Sequence, residues 1–337
     1  MGRRKEWIDN LRGLCMIAIL LLHTDIYYVD NGTLDGVISY NLYVVDAIVI
    51  FFFLSGYLMY KETAFNLKHK VISVLRTIVL PYFIFTSLLY IPKNIVHGDG
   101  IDIAEMAREI ITGQASWFVA TLALSELIFS FVLYVSKRKT LYIATTAVIG
   151  FVLSVFMSEN HAVYFWQADN AFQTLLFLAA GYLFHKYEER VDACFRKQYL
   201  VVLFFMLVGI KYIVMAYDIS LIIWKIDISC YPLFIADITV CTLMAVQLFK
   251  RLSGCRLLEW TGRHSLVYYF FCGGVPLVTG KLLRHFNFVY NGNYLNVIIA
   301  LIMVYAITSA IVWTIYRYLP FTVGKWGRNN KEKERHC

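Results

Sequence analysis

Two residues, Arg12 and His23, are placed for chemistry. Both lie in EWIDNLRGLCMIAILLLHTDIYY, the stretch from Glu6 to Tyr28, and eleven residues separate them. On a helix that offset is a rise of roughly 16 Å, about half of a ~30 Å hydrocarbon layer. Arg12 can therefore sit at the inner lipid boundary with His23 at mid-depth or beyond. An ionisable side chain at such depth is costly and usually faces an interior cavity. Taken alone, His23 fits a satisfied structural histidine equally well.

A second ionisable residue, Asp46, lies in the outer half of the next apolar run, LYVVDAIVIFFFLSGYLMY. If the first two runs are neighbouring antiparallel helices, Asp46 and His23 share a depth. A carboxylate beside an imidazole fixes its tautomer and raises its basicity. Such a base takes a proton from a hydroxyl acceptor. Arg12 and Arg76 could hold a phosphate-rich group at the inner mouth, since guanidinium forks suit phosphate. Membrane topology alone accounts for most of the basic residues. A thioester donor with a phosphorylated nucleotide head and a long thin arm matches the ~16 Å between Arg12 and His23. That geometry is compatible with acyl-coenzyme A.

The elements that must position these residues are membrane helices. Of 337 residues, 59% are hydrophobic and 16% charged, with mean hydropathy +0.61. Soluble domains average about 45–50% apolar and ~25% charged. The expected fold class is all-α, a polytopic bundle of about ten transmembrane helices. The spanning runs are 11–29, 41–60, 71–92, 115–136, 140–157, 171–187, 198–216, 228–249, 264–282 and 294–318. The region 217–232 is the least regular, broken by Asp218, Trp224, Lys225 and Asp227. No cleavable leader is expected, because the first run lacks a small-residue cleavage site and many spans follow it.

Charge orients the bundle. With the N-terminus in the cytoplasm, roughly 25 of the 31 Lys and Arg fall in inside segments. That is a strong positive-inside bias, with both termini cytoplasmic and an even span count. The net charge of +8 is thus a topology signal and not a nucleic-acid one. The chain divides into a membrane domain, 1–320, and a short basic tail, 321–337, which faces lipid headgroups or is disordered. The seven cysteines form no CxxC pair, and Cys15, Cys241 and Cys272 lie inside apolar runs as small core residues. No metal site is expected.

Other polar residues add candidates. A piece from Ile101 to Ile111 follows the turn Gly98-Asp99-Gly100 and is expected as an amphipathic interfacial helix. Pro81-Tyr82 in the third span marks a kink. Trp117-Phe118 open the fourth span at an aromatic belt, with substrate stacking the alternative. Glu126 and Asp237, near the middles of the fourth and eighth spans, are functional candidates by depth. Asp169 and Asp227 read as helix N-terminal acids, and Lys211 as a snorkelling lysine. Internal repeats are not evident, which weighs against an inverted-repeat transporter.

These residues resemble the acyltransferase-3 membrane proteins, which O-acylate sugars and other hydroxyl compounds. Arg12 and His23, with Leu11-Arg12-Gly13-Leu14, match that family's arginine–ten residues–histidine signature. Phe51 to Leu58 resembles its FFxxSGxL segment, and Arg76 through Pro81-Tyr82 its Arg-…-Pro-Tyr segment. Trp117-Phe118 with Leu122 resembles its WFxxxL segment. Leu258 to Tyr269, with Gly262 and Ser265, resembles its late GxxSxxxY segment. The match covers most of the chain in order. It departs at Val49, where the family often has proline, and at Cys272, where it often has histidine.

The resemblance implies about ten core helices, cytoplasmic acyl-CoA as donor and His23 as the essential catalytic residue. It implies a supporting role for Arg12, and roles for Ser55 and Arg76. With Asp46 as orienting partner, the candidate catalytic residues are His23 and Asp46. The candidate binding residues are Arg12, Ser55, Arg76, Trp117 and Glu126. The acyl group in the family is most often acetyl, and acceptors range from envelope polysaccharides to small hydroxylated metabolites. Acetyl-CoA is then a substrate, with no permanently bound cofactor. The expected partners are the glycan acceptor and membrane lipids, and the expected location is a bacterial inner membrane. Some members carry an extracytoplasmic hydrolase-like domain, which is not expected here and would be a separate partner. Two other classes stay open. One is a transporter or flippase of a lipid-linked sugar using His23, Glu126 and Asp237. The other is a structural partner without turnover.

Overall fold

The computed structural model describes residues 5–29, 40–97, 102–160 and 162–325. The fold is an all-α bundle. In chain order the helices are α1 (Glu6–Val29), α2 (Val45–Met59), α3 (Leu67–Val74), α4 (Leu80–His97) and α5 (Ile103–Thr112). Then come α6 (Trp117–Val135), α7 (Thr140–Glu159), α8 (Ala168–Lys186), α9 (Glu188–Cys194) and α10 (Gln198–Ala216). The last five are α11 (Tyr231–Phe249), α12 (Arg256–Arg263), α13 (Ser265–Phe271), α14 (Gly274–His285) and α15 (Tyr294–Tyr318). Eight helical segments among the described residues are long and apolar enough to cross a membrane. A ninth span arises if α13 and α14, bent by 49° at a short break, are counted as one. The sixth expected span is α8, a 19-residue helix whose first half carries Asp169, Asn170, Gln173 and Thr174 and which falls outside that set.

The helix α1 is the hub. It packs against α2, α11, α12, α13, α14 and α15. Its approach to α12 is set by two glycines that face each other. A Cβ on Gly13 would stand 2.1 Å from the Leu258 carbonyl oxygen, and one on Gly262 would stand 1.8 Å from that of Asp9. Small residues let helix backbones meet in this way, and van der Waals contact then holds them. The same device joins α2 to α8, where Gly56 meets the Leu178 carbonyl and Gly181 meets that of Phe53. The glycines of the first, second and last sequence motifs are thus packing residues.

Exposed apolar surface marks what faces lipid. Only 6% of the most apolar window of α10 is buried, and Val201, Val202, Phe204 and Phe205 all point outward. Such a helix needs an apolar solvent around it.

The third span is continuous from Leu67 to Pro92, with a π-helical turn at Leu75–Val79 just ahead of Pro81. The wider turn accommodates a residue that has no N–H to give. Tyr82 donates to the Ile110 carbonyl at 3.0 Å and so ties α4 to α5. The amphipathic helix is α5. Asp102 caps it by accepting from the Ala104 and Glu105 amides, and Gly113 ends it at φ 83°. Part of that expectation, the turn 98–100 and Ile101, lies outside the described residues. The irregular region 217–232 holds a small antiparallel hairpin of β1 (Leu221–Ile222) and β2 (Asp227–Ile228). Asp227 is therefore a strand residue that accepts from Ser220, and not a helix-start acid. Asp169 does occupy the first turn of α8. Of the expected tail, residues 326–337 lie outside the described residues. Just before them a 3-10 turn, Pro320–Val323, ends at Gly324 against the Arg76 carbonyl.

Candidate active site

His23 lies six residues before the end of α1, with its side chain partly exposed. Its Nδ1 is 2.9 Å from the Ile19 carbonyl oxygen, one turn earlier. A carbonyl oxygen can only accept, so Nδ1 carries the proton and donates. In the neutral ring Nε2 then holds the lone pair. That nitrogen faces the Cys272 thiol at 3.9 Å. Cys272 sits just past α13, at the break that separates it from α14. Broken helices at membrane depth occur where the freed backbone is buried in protein or lines a cavity.

Aromatic side chains from three motifs, with Phe85 of α4, pack together next to Cys272. Phe118 lies 4.9 Å from Phe52 and 5.9 Å from Phe51, ring centre to ring centre. Tyr269, one turn before Cys272, stands 4.7 Å from Phe118. Trp117 packs edge-on against Phe118 at 5.9 Å. Phe85 of α4 closes the wall against Phe270 at 4.9 Å. The WF, FFF and late-tyrosine segments thus build one apolar surface. Ring pairs of this kind add to area burial and exclude water.

The structure redirects the expected role of Asp46. Its Oδ2 pairs with Lys211 Nζ at 2.6 Å, and the same nitrogen pairs with Asp237 Oδ2 at 2.6 Å. The imidazole of His23 is oriented by a backbone carbonyl, and Asp46 is spent on a lysine. Lys211 is correspondingly not a snorkelling residue. It bridges α2 and α11 from α10 and also donates to the Asn41 carbonyl at 3.1 Å. A charge buried in a bundle needs partners of this kind, because leaving it unpaired costs several kcal/mol. Glu126 is likewise occupied, by Lys70 Nζ of α3 at 2.7 Å.

The other candidates are placed as follows. Arg12 is partly buried on α1 at the His23 offset given by its helix, ~16 Å. Ser55 is buried in α2 next to the Gly56 contact with α8. Arg76 is exposed on the π-helical turn. Trp117 is partly buried and belongs to the aromatic wall. His23 and Trp117 therefore share a neighbourhood through Cys272, Tyr269 and Phe118. Ser55 lies nine residues beyond Asp46 along α2, toward the opposite end of the bundle.

Sequence reasoning missed a polar cluster at the N-terminal end of α1. Glu188 accepts from the Tyr57 hydroxyl at 2.7 Å and pairs with Lys5 at 2.7 Å and Lys250 at 2.6 Å. Burial pushes this carboxyl up, but the hydrogen bonds from Lys250, Lys5 and Tyr57 outweigh it and hold it at about 2. His185 stacks on Tyr57 at 3.9 Å and bonds its carbonyl at 2.7 Å. Next to the cluster, Trp7, Asn10, Lys250 and Gly254 line a cavity of about 260 Å³. No spacing signal joins Lys5, Tyr57, Glu188 and Lys250, since four separate elements bring them together. Cys272 did carry a signal, as the departure at the end of the late motif.

The chain matches the model of a family described as an acyltransferase domain, Acyl_transf_3, over residues 5–317. The chain belongs to the acyltransferase-3 family. No curated protein and no solved structure matches it. This membrane acyltransferase thus has His23 beside a thiol and under a fixed tautomer.

Proposed function

We propose that this acyltransferase moves an acyl group, acetyl in the first instance, from acyl-CoA to a hydroxyl of a cell-envelope glycan. The observation that carries the proposal is the state of His23. Its Nδ1 is committed to Ile19, so Nε2 is a ready proton acceptor inside the bundle. Arg12 and its ~16 Å offset support a donor that extends along α1, head group at Arg12 and thioester at His23. The cavity beside Asn10 and Lys250 lies at that same end. The charge pattern of the sequence supports a cytoplasmic placement of that end, where CoA thioesters are found, and a bacterial inner membrane suits an envelope acceptor. The aromatic wall around Phe118 keeps water from the reacting thioester. The acids assigned to a transport path, Glu126 and Asp237, are each tied to a lysine, which favours transfer over transport.

The proposal is tested in the cell envelope. Glycan fractions are prepared from cells producing the wild type or His23→Ala and analysed by mass spectrometry. Base-labile acyl increments are expected on a hydroxyl with the wild type only. Equal acylation by the variant would overturn the assignment of His23.

A further inference from the structure

The tautomer of His23 leaves its basic nitrogen facing sulfur. Nδ1 donates to Ile19, and Nε2 lies 3.9 Å from Cys272 Sγ, within hydrogen-bonding range for a thiol. Cys272 is a free cysteine, 5% exposed, and packs in the main hydrophobic core. A nucleophile beside a base, with the base held by a third group, is the arrangement that activates thiols and hydroxyls for acyl transfer. Here the third group is a helix carbonyl. The break between α13 and α14 sets the thiol at the end of a helix instead of on its flank. A second thiol, Cys241, lies beside the Asp46 carboxylate, which is already bound to Lys211.

We infer that Cys272 is an acyl carrier, and that transfer runs through a thioester on its sulfur. The inference rests on the acyl-CoA reading above. In the first half, His23 Nε2 takes the Cys272 proton as the sulfur attacks the thioester carbonyl of acyl-CoA. A carbon–sulfur bond forms to Cys272, the one to CoA breaks, and the proton on Nε2 passes to the departing CoA thiolate. One thioester replaces another, so no further reactant is needed. In the second half, Nε2 takes the proton of the acceptor hydroxyl. The oxygen attacks the acyl carbon, and the Cys272 sulfur leaves and recovers the proton from Nε2. Donor and acceptor then visit the site in turn. That ordering suits a bundle in which the donor approaches from the Arg12 end of α1 and the acceptor from the other. Burial of the sulfur shields the thioester from water between the two halves.

The experiment uses the full-length protein in nanodiscs with acetyl-CoA labelled in the acetyl group, without acceptor, followed by acid quench. Wild type is expected to retain about one label per chain, released by neutral hydroxylamine as a thioester is. Cys272→Ala is expected to retain none and to lose at least about a hundredfold in turnover. Cys272→Ser, nearly isosteric, is expected to keep the wild-type melting temperature and to hold any label as an ester resistant to neutral hydroxylamine. Thiol release with an envelope glycan fraction is measured on the same samples. Wild type that transfers but never holds label overturns the carrier and leaves the acyl-CoA reading standing. Label that persists at a different residue in Cys272→Ala does the same. Absence of thiol release with acetyl-, succinyl- and longer acyl-CoA overturns the reading and the carrier together.

Discussion

His23 Nδ1 lies 2.9 Å from the carbonyl oxygen of Ile19 on the same helix. This contact leaves Nε2 as the proton-accepting ring nitrogen, the state that the proposed general base requires. A histidine on a helix reaches the carbonyl four residues back, and the bond decides which ring nitrogen keeps its lone pair. The carboxylate expected for that task, Asp46, is engaged elsewhere, and its partners define the first test.

Lys211 holds two buried carboxylates, with side-chain exposures of 13% for the lysine, 5% for Asp46 and none for Asp237. Lys211→Met leaves both acids without their cation. Breaking a buried pair in this way costs about 3–5 kcal/mol. We expect a large fall in the melting temperature of the solubilised protein. The triple variant Asp46→Asn, Lys211→Met, Asp237→Asn should recover much of it. A single Lys211→Met that melts like the wild type would show that the cluster carries no structural weight.

The α1–α12 contact is tested by adding one methyl group. Gly262→Ala puts a Cβ where the Asp9 carbonyl stands, 1.8 Å away, so the helices must part. Overpacking of this kind costs about 1–3 kcal/mol. Gly209 on the lipid-facing α10 has nothing within 4 Å of the same added atom. Gly209→Ala should be neutral or stabilising by up to ~1 kcal/mol, from helix propensity alone. Thermal unfolding of the two variants in one detergent separates the outcomes.

Glu188 sets an acid limit on stability. Its carboxyl is depressed from 4.5 to about 2 in the folded protein by its Lys250, Lys5 and Tyr57 contacts, which outweigh burial. A group with a lowered folded value stabilises the fold fully above its unfolded value. That contribution is lost as pH falls from about 4.5 through about 2. Wild type should therefore lose melting temperature across this window more steeply than Glu188→Gln. Parallel curves for the two proteins would remove Glu188 from the account of acid sensitivity.

The helices were legible because apolar length is a local property. The runs at 11–29, 41–60 and 294–318 correspond to α1, α2 and α15. The place of His23 on the first apolar helix, six residues before its end, was legible for the same reason. What was not legible depends on contacts between distant segments. Lys211 meets Asp46 across 165 residues, and no pattern within α10 announces it. Without that partner a lysine near a helix end reads as snorkelling. Gly13 and Gly262 stood out as motif residues, yet their role as a helix–helix contact appears only once α1 and α12 are docked. The hairpin at 221–228 was hidden by its shortness, since two-residue strands have no periodicity. α8 was found by its apolar run, although its first half is polar and buried inside the bundle.

The central claim is that His23 drives acyl transfer from a CoA thioester. Free thiol release from acetyl-CoA by the purified protein in nanodiscs, with and without an envelope glycan fraction, tests it most directly. Wild type should release thiol in step with acceptor added. His23→Ala should fall by a factor of about 100 or more, the weight of a lost general base, with an unchanged melting temperature. A folded His23→Ala protein that releases thiol at the wild-type rate would contradict the account.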